Sequence, residues 1–204
     1  MTHTLYGTAL LAALLLPACA KQEPIGKARI EKGDGLEVGA FAFLERSGRP
    51  FSERDLKGKV WVGSLIFTRC TTSCIPMCAE MYQLQEDFRD DPDFRIVATT
   101  VDPANDTAEV LAKFAKSYDA DPERWYFLTG TAEEIRKFAV EGLRIPWNAD
   151  DPIVHSVDFV LVDRAGRIRD YFRQTQPDQM KRMREVIRDV LAERAPAHEP
   201  QVED

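Results

Sequence analysis

The sequence predicts an α/β domain, a central mixed sheet flanked by helices, with an N-terminal hairpin extension. Three observations carry this. Residues 60–67 (VWVGSLIF) form a nearly continuous apolar run, which is how a strand covered on both faces reads. From there to residue 142 strand-like and helix-like stretches alternate, which implies parallel strands joined by helical crossovers. Finally, runs at 157–162 and 168–172 are separated by Asp163-Arg164-Ala165-Gly166-Arg167, a hairpin signal that adds antiparallel strands.

The elements follow in order. Residues 40–44 and 50–52 read as a short hairpin with Gly48 in the turn, and 52–56 as one capped helical turn ended by Gly58. Residues 74–88 are helical, with Met77, Met81, Leu84 and Phe88 on one stripe. The next strand, 94–101, ends at Asp102-Pro103. Residues 106–118 form a helix in which Asp106 serves as N-cap and Glu109 completes a capping box. A strand at 125–128, a helix at 132–142, a Pro-containing loop at 143–154 and a final amphipathic helix at 177–193 complete the order. This succession is the thioredoxin-like layout.

A leader precedes the domain. Residues 5–16 are almost entirely apolar and run into Pro17-Ala18-Cys19. About 12 residues are too few to span a bilayer, which takes about 20, but they suit the core of a signal peptide. Leu16-Pro17-Ala18-Cys19 resembles a bacterial lipobox, whose cysteine becomes the lipidated first residue. The expected organisation is a lipoprotein-type signal peptide over 1–18, a tether over 19–36 beginning at lipidated Cys19, one domain over 37–194, and a disordered tail over 195–204. The domain is therefore expected on the periplasmic side of a bacterial membrane, held there by its lipid anchor.

Length and charge narrow the partners. The chain has 204 residues, enough for one domain with extensions, and a formal net charge of -7. It shows no basic stripe, so nucleic acid is excluded as a partner.

Of the four cysteines, Cys70, Cys74 and Cys78 fall in one nine-residue window, whereas a disulfide framework spreads cysteines along the chain. The window leaves the carboxyl end of a central strand and enters a helix, where ligand and redox sites of open α/β sheets lie. A helix N-terminus favours thiolates, so both Cys70 and Cys74 are expected to ionise readily. Their Cys-x-x-x-Cys spacing lets both sulfurs reach one metal or form a disulfide. His155 is the one histidine within the expected domain and stands before the strand at 157–162. Two thiolates and an imidazole suit a soft metal, copper(I) first and zinc second. Cys78 lies too far along a helix from Cys70 to share that metal and reads as a buried neighbour. Met77 and Met81 read as core.

These segments resemble the Sco/SenC family of copper chaperones. The resemblance rests on FTRCTTSCIPMCAEM at 67–81, TVDPANDTAEVL at 100–111, RWYFLTG at 124–130 and IVHSVDFVLVDRAGRI at 153–168, and it covers about residues 37–194. It implies a thioredoxin-like fold and a copper ion held by Cys70, Cys74 and His155. It also implies a role in assembling the copper centre of cytochrome c oxidase, so the expected partner is the copper-receiving oxidase subunit or another cuproprotein. The chain departs from the family pattern at Thr71 and Ile75, where members often carry Pro, and at Val154, where an acidic residue commonly precedes the histidine. The rival expectation is a thiol-disulfide oxidoreductase, in which Cys70 attacks a partner disulfide and Cys74 resolves it. A third is a thiol peroxidase using Thr68 and Arg69.

Overall fold

The structure is a computed structural model that describes residues 35–147 and 157–193. Seven strands form one sheet: β1 (Ala42–Glu45), β2 (Pro50–Ser52), β3 (Val60–Ile66), β4 (Phe94–Thr100), β5 (Trp125–Thr129), β6 (Asp158–Val162) and β7 (Ile168–Arg173). Their order across the sheet is β2-β1-β5-β4-β3-β6-β7. The centre is parallel, β3 against β4 and β4 against β5. The β1–β2 hairpin joins one side antiparallel through β5, and β6–β7 joins the other antiparallel through β3. The helices are α1 (Cys74–Asp87), α2 (Ala108–Ser117), α3 (Ala132–Lys137) and α4 (Pro177–Ala192). This is the mixed, helix-flanked sheet with a hairpin extension that the sequence predicts.

Every residue of β3 is buried, and its side chains alternate between two cores. Val60, Val62 and Ile66 enter the core under α1 and α4, with Met77, Met81, Leu84, Phe127 and Ile187. Trp61 and Leu65 enter the opposite core, with Ile135, Phe138 and Leu143. Gly63 makes room for this packing, because a Cβ there would lie 2.8 Å from the Trp61 ring. The Met77–Met81–Leu84 stripe is fully buried, as its spacing predicts.

Two elements differ from expectation. Asp106 is not the cap of α2; Thr107 is, its hydroxyl accepting from the Val110 N–H. Asp106 lies one residue too early in the chain and is claimed by other donors. The helix expected over 132–142 is α-helical only to Lys137 and continues as a π-turn, Phe138–Gly142. Widening the turn buries Phe138, Ala139 and Gly142 together, and Arg144, in the left-handed region at φ 56°, ends the segment. The chain is already tied to the sheet at the end of the expected tether, where the Leu36 carbonyl accepts from the Ile168 N–H. No helix among the described residues is long and apolar enough to cross a membrane. The expected signal peptide, Cys19 and the tail lie outside the described residues.

Candidate metal and thiol site

The site is built by the exit from β3. After Ile66 the chain turns through residues 67–73 and enters α1 at Cys74. The Cys74 N–H, the first of α1, donates to the Cys70 Sγ at 3.3 Å, so the sulfur takes a helix-end donor that has no intrahelical partner. The Thr72 and Ser73 hydroxyls lie 3.7 and 3.6 Å from the same sulfur. No acidic residue occupies the first turn of α1.

The two expected ligands differ sharply in their surroundings. At Cys70, burial works against ionisation, but the N–H groups of Cys74 and Thr72 and the side-chain bonds to Cys74 and Ser73 outweigh it and bring the thiol down to about 6. At Cys74 burial dominates and pushes the thiol well up, and the neighbouring Cys70 sulfur adds to the effect; a backbone hydrogen bond at Phe67 only partly opposes it. The expectation that both are ready thiolates therefore holds for Cys70 alone. Cys74 sits on the inner face of α1, where no water solvates its charge. Cys78, one turn further in, is fully buried and pushed up to about 12 by that burial, although a bond with the Tyr118 hydroxyl opposes it. No disulfide joins the three.

The turn itself is pinned by residues that periodicity does not reveal. Asp106, fully buried, accepts the Thr68 N–H at 3.0 Å and the hydroxyls of Thr68 and Thr100, both at 2.5 Å. One carboxylate thus fastens the exits of β3 and β4 together two residues before Cys70. Beside it Asp102 accepts the Arg69 guanidinium at 2.7 and 3.2 Å and the Asn105 amide at 2.8 Å. The signal available in the sequence was the pair of acids in Asp102-Pro103-Ala104-Asn105-Asp106 directly after a buried strand.

As a metal site, the described residues supply the two sulfurs. Among them no three His, Cys, Asp or Glu side chains are grouped so as to hold a metal ion. Cys78 therefore does not complete a triad with Cys70 and Cys74. His155 lies outside the described residues, and two contacts are described on either side of it in the chain, one made by β7 and one by the residue just after β7. The Tyr171 hydroxyl donates to the Leu143 carbonyl at 3.1 Å before it, and the Gln174 N–H donates to the Val157 carbonyl at 3.0 Å after it. The donor chemistry fits a soft ion, since thiolates prefer copper(I). The site is a surface turn. Two open grooves of about 460 and 580 Å³ flank residues 37–41 instead, and neither includes Cys70 or Cys74.

A reduced cysteine pair, with its more exposed member at a helix head beyond the central strand, defines a thioredoxin-like dithiol protein. Comparison with known proteins narrows this. Residues 31–192 match the family described as SCO1/SenC, and the chain belongs to that family. It is 36% identical over 170 residues to the SCO1 protein homolog of Bacillus subtilis, covering 80% of this chain and 85% of that protein. Among solved structures it resembles BsSco, described as a member of the Sco family of cytochrome c oxidase assembly proteins with a disulfide switch. The TM-score is 0.70 and the identity 31%, covering 78% of this chain and 96% of that one. A SCO1/SenC family lipoprotein of Bacillus anthracis gives a TM-score of 0.68 and 30% identity, covering 76% of this chain and 95% of that one. Copper-bound yeast Sco1, at 22% identity and a TM-score of 0.64, covers 80% of this chain and 92% of its own and shares the fold.

Proposed function

We propose that this chain is a copper metallochaperone. Cys70, Cys74 and His155 hold one copper ion as cargo and pass it by ligand exchange to the copper-receiving subunit of cytochrome c oxidase or to another cuproprotein. Lipidated Cys19 keeps it on the periplasmic side of a bacterial membrane. The observation that carries this reading is the sulfur pair itself. Cys70 is held near ionisation by the head of α1, and Cys74 presents a second soft donor one turn away. A bound cation supplies the charge that burial otherwise denies to the Cys74 thiolate, so copper uptake and loss of the Cys74 proton are coupled. Family membership and the copper held by yeast Sco1 favour copper over zinc.

A second reading is favoured by one observation, the asymmetry of the pair. A low Cys70 and a high Cys74 suit an attacking thiolate followed by a resolving thiol, as in disulfide exchange. Copper titration of the reduced protein and of His155→Ala separates the two. The chaperone reading expects about one copper per chain and a strong loss of affinity in the variant with the fold intact. Undiminished copper binding by His155→Ala would leave the dithiol reading.

A further inference from the structure

Next to Cys70 the turn holds one more chemically distinctive group. Arg69 extends its guanidinium to Asp102, which it meets through Nε and Nη2 at 3.2 and 2.7 Å. Asp102 is itself fixed, its N–H donating to the Thr100 hydroxyl at 3.0 Å and its other oxygen accepting from Asn105. The Arg69 side chain nevertheless remains 59% exposed, while Asp102 is 8% exposed. Two of the three guanidinium nitrogens are engaged, and the Nη1 edge is left for a second acceptor.

An acceptor from outside would meet the exposed side of the turn. The two carboxylates at the β4 exit, Asp102 and Asp106, are buried and engaged by hydrogen bonds, and the first turn of α1 carries no acid. What this rim offers a partner is therefore the exposed guanidinium edge of Arg69, not a net positive charge. A guanidinium locked by one carboxylate has already lost the rotamer freedom that binding a second would cost, which makes it an inexpensive anchor for a partner.

We propose that Arg69, held by Asp102, selects partner segments that carry a carboxylate beside their reactive cysteine. This rests on the reading above that Cys70 meets a partner's sulfur or metal ligand. The Nη1 edge takes the acidic side chain, and the partner's cysteine is thereby oriented over the Cys70 turn.

The test uses the reduced protein and two alkylating probes of similar size, anionic iodoacetate and neutral iodoacetamide, with modification of Cys70 followed by mass spectrometry at neutral pH and low ionic strength. In both reactions the Cys70 thiolate forms the C–S bond and iodide leaves, so their rate ratio cancels thiolate availability. Arg69→Gln is expected to lower the iodoacetate-to-iodoacetamide ratio about threefold, the size of one exposed charge pair, and high salt should bring the wild type to the same value. A second arm uses two disulfide-linked peptides that differ only in Asp or Lys beside the cystine. The wild type and the distant control Arg182→Gln should prefer the acidic peptide, and Arg69→Gln should lose that preference. A ratio or preference unchanged by Arg69→Gln in either arm overturns the proposal. Because copper is absent from both arms, failure here leaves the copper reading standing, and failure of the His155→Ala titration leaves this inference standing.

Discussion

Cys70 and Cys74 are four residues apart in sequence and belong to different worlds. Cys70 is on the turn, half-buried, fed by the N–H groups of Cys74 at the helix end and Thr72 in the turn, and brought down to about 6. Cys74 and Cys78 are on the inner face of α1, buried and pushed up by loss of water. The difference teaches that helix-head position alone does not make a thiolate. The donors must reach the sulfur, and they must outweigh desolvation. At Cys70 they do, and one turn further in they do not.

The largest expected effect breaks the comparison at its metal end. Cys70→Ser and Cys74→Ser should each weaken copper binding by more than the roughly 10–100-fold that losing a supporting residue costs, because each removes a ligand outright. Cys78→Ser should leave copper binding within a few-fold of wild type. A competition titration against a copper chelator reads all three.

Packing comes next. Leu84→Ala, in the α1 interior, should cost about 2–5 kcal/mol of stability through the cavity it leaves. Thr72→Ala, on the exposed turn, should stay within about 0.5 kcal/mol. Denaturant unfolding compares them. Between these lies Asp106→Ala. It strands the Thr68 N–H and two hydroxyls, costs about 1–3 kcal/mol, and should slow alkylation of Cys70 at neutral pH by loosening the turn.

The smallest effects are in protons. Alkylation of Cys70 should show a midpoint near pH 6 rather than the ordinary thiol value of about 8.5. The linked stability follows the same sign. The folded value lies below the unfolded one, so the Cys70 thiolate contributes fully above the unfolded value, and that contribution is lost as pH falls through about 6. Cys74, raised, runs the other way: its contribution is complete below the unfolded value and is lost as pH rises beyond it. Copper binding at neutral pH should accordingly release about one proton per chain, that of Cys74, measured by titration in buffers of different ionisation enthalpy.

Much of this was legible in the sequence. The alternation of buried strand and amphipathic helix places β3, α1 and β4 within a residue or two, because these elements are long and their periodicity is set by two-sided burial. The cysteine window and its place at a strand exit were equally plain. What periodicity could not show was tertiary. Asp106 looks like a helix cap because Asp before an apolar stripe usually is one, yet Thr68 and Thr100, far away in sequence, claim its carboxylate. The Cys74 thiol likewise reads as activated until the packing around α1 is known. The π-turn after Lys137 depends on which side chains must be buried together and leaves no local signature.

The most direct measurement of the central claim is X-ray absorption at the copper edge of the protein loaded with one equivalent of copper(I). Two sulfur scatterers at about 2.3 Å and one imidazole nitrogen at about 2.0 Å, the nitrogen vanishing in His155→Ala, are the expected result. A shell of sulfur alone in the wild type, unchanged in that variant, would contradict it.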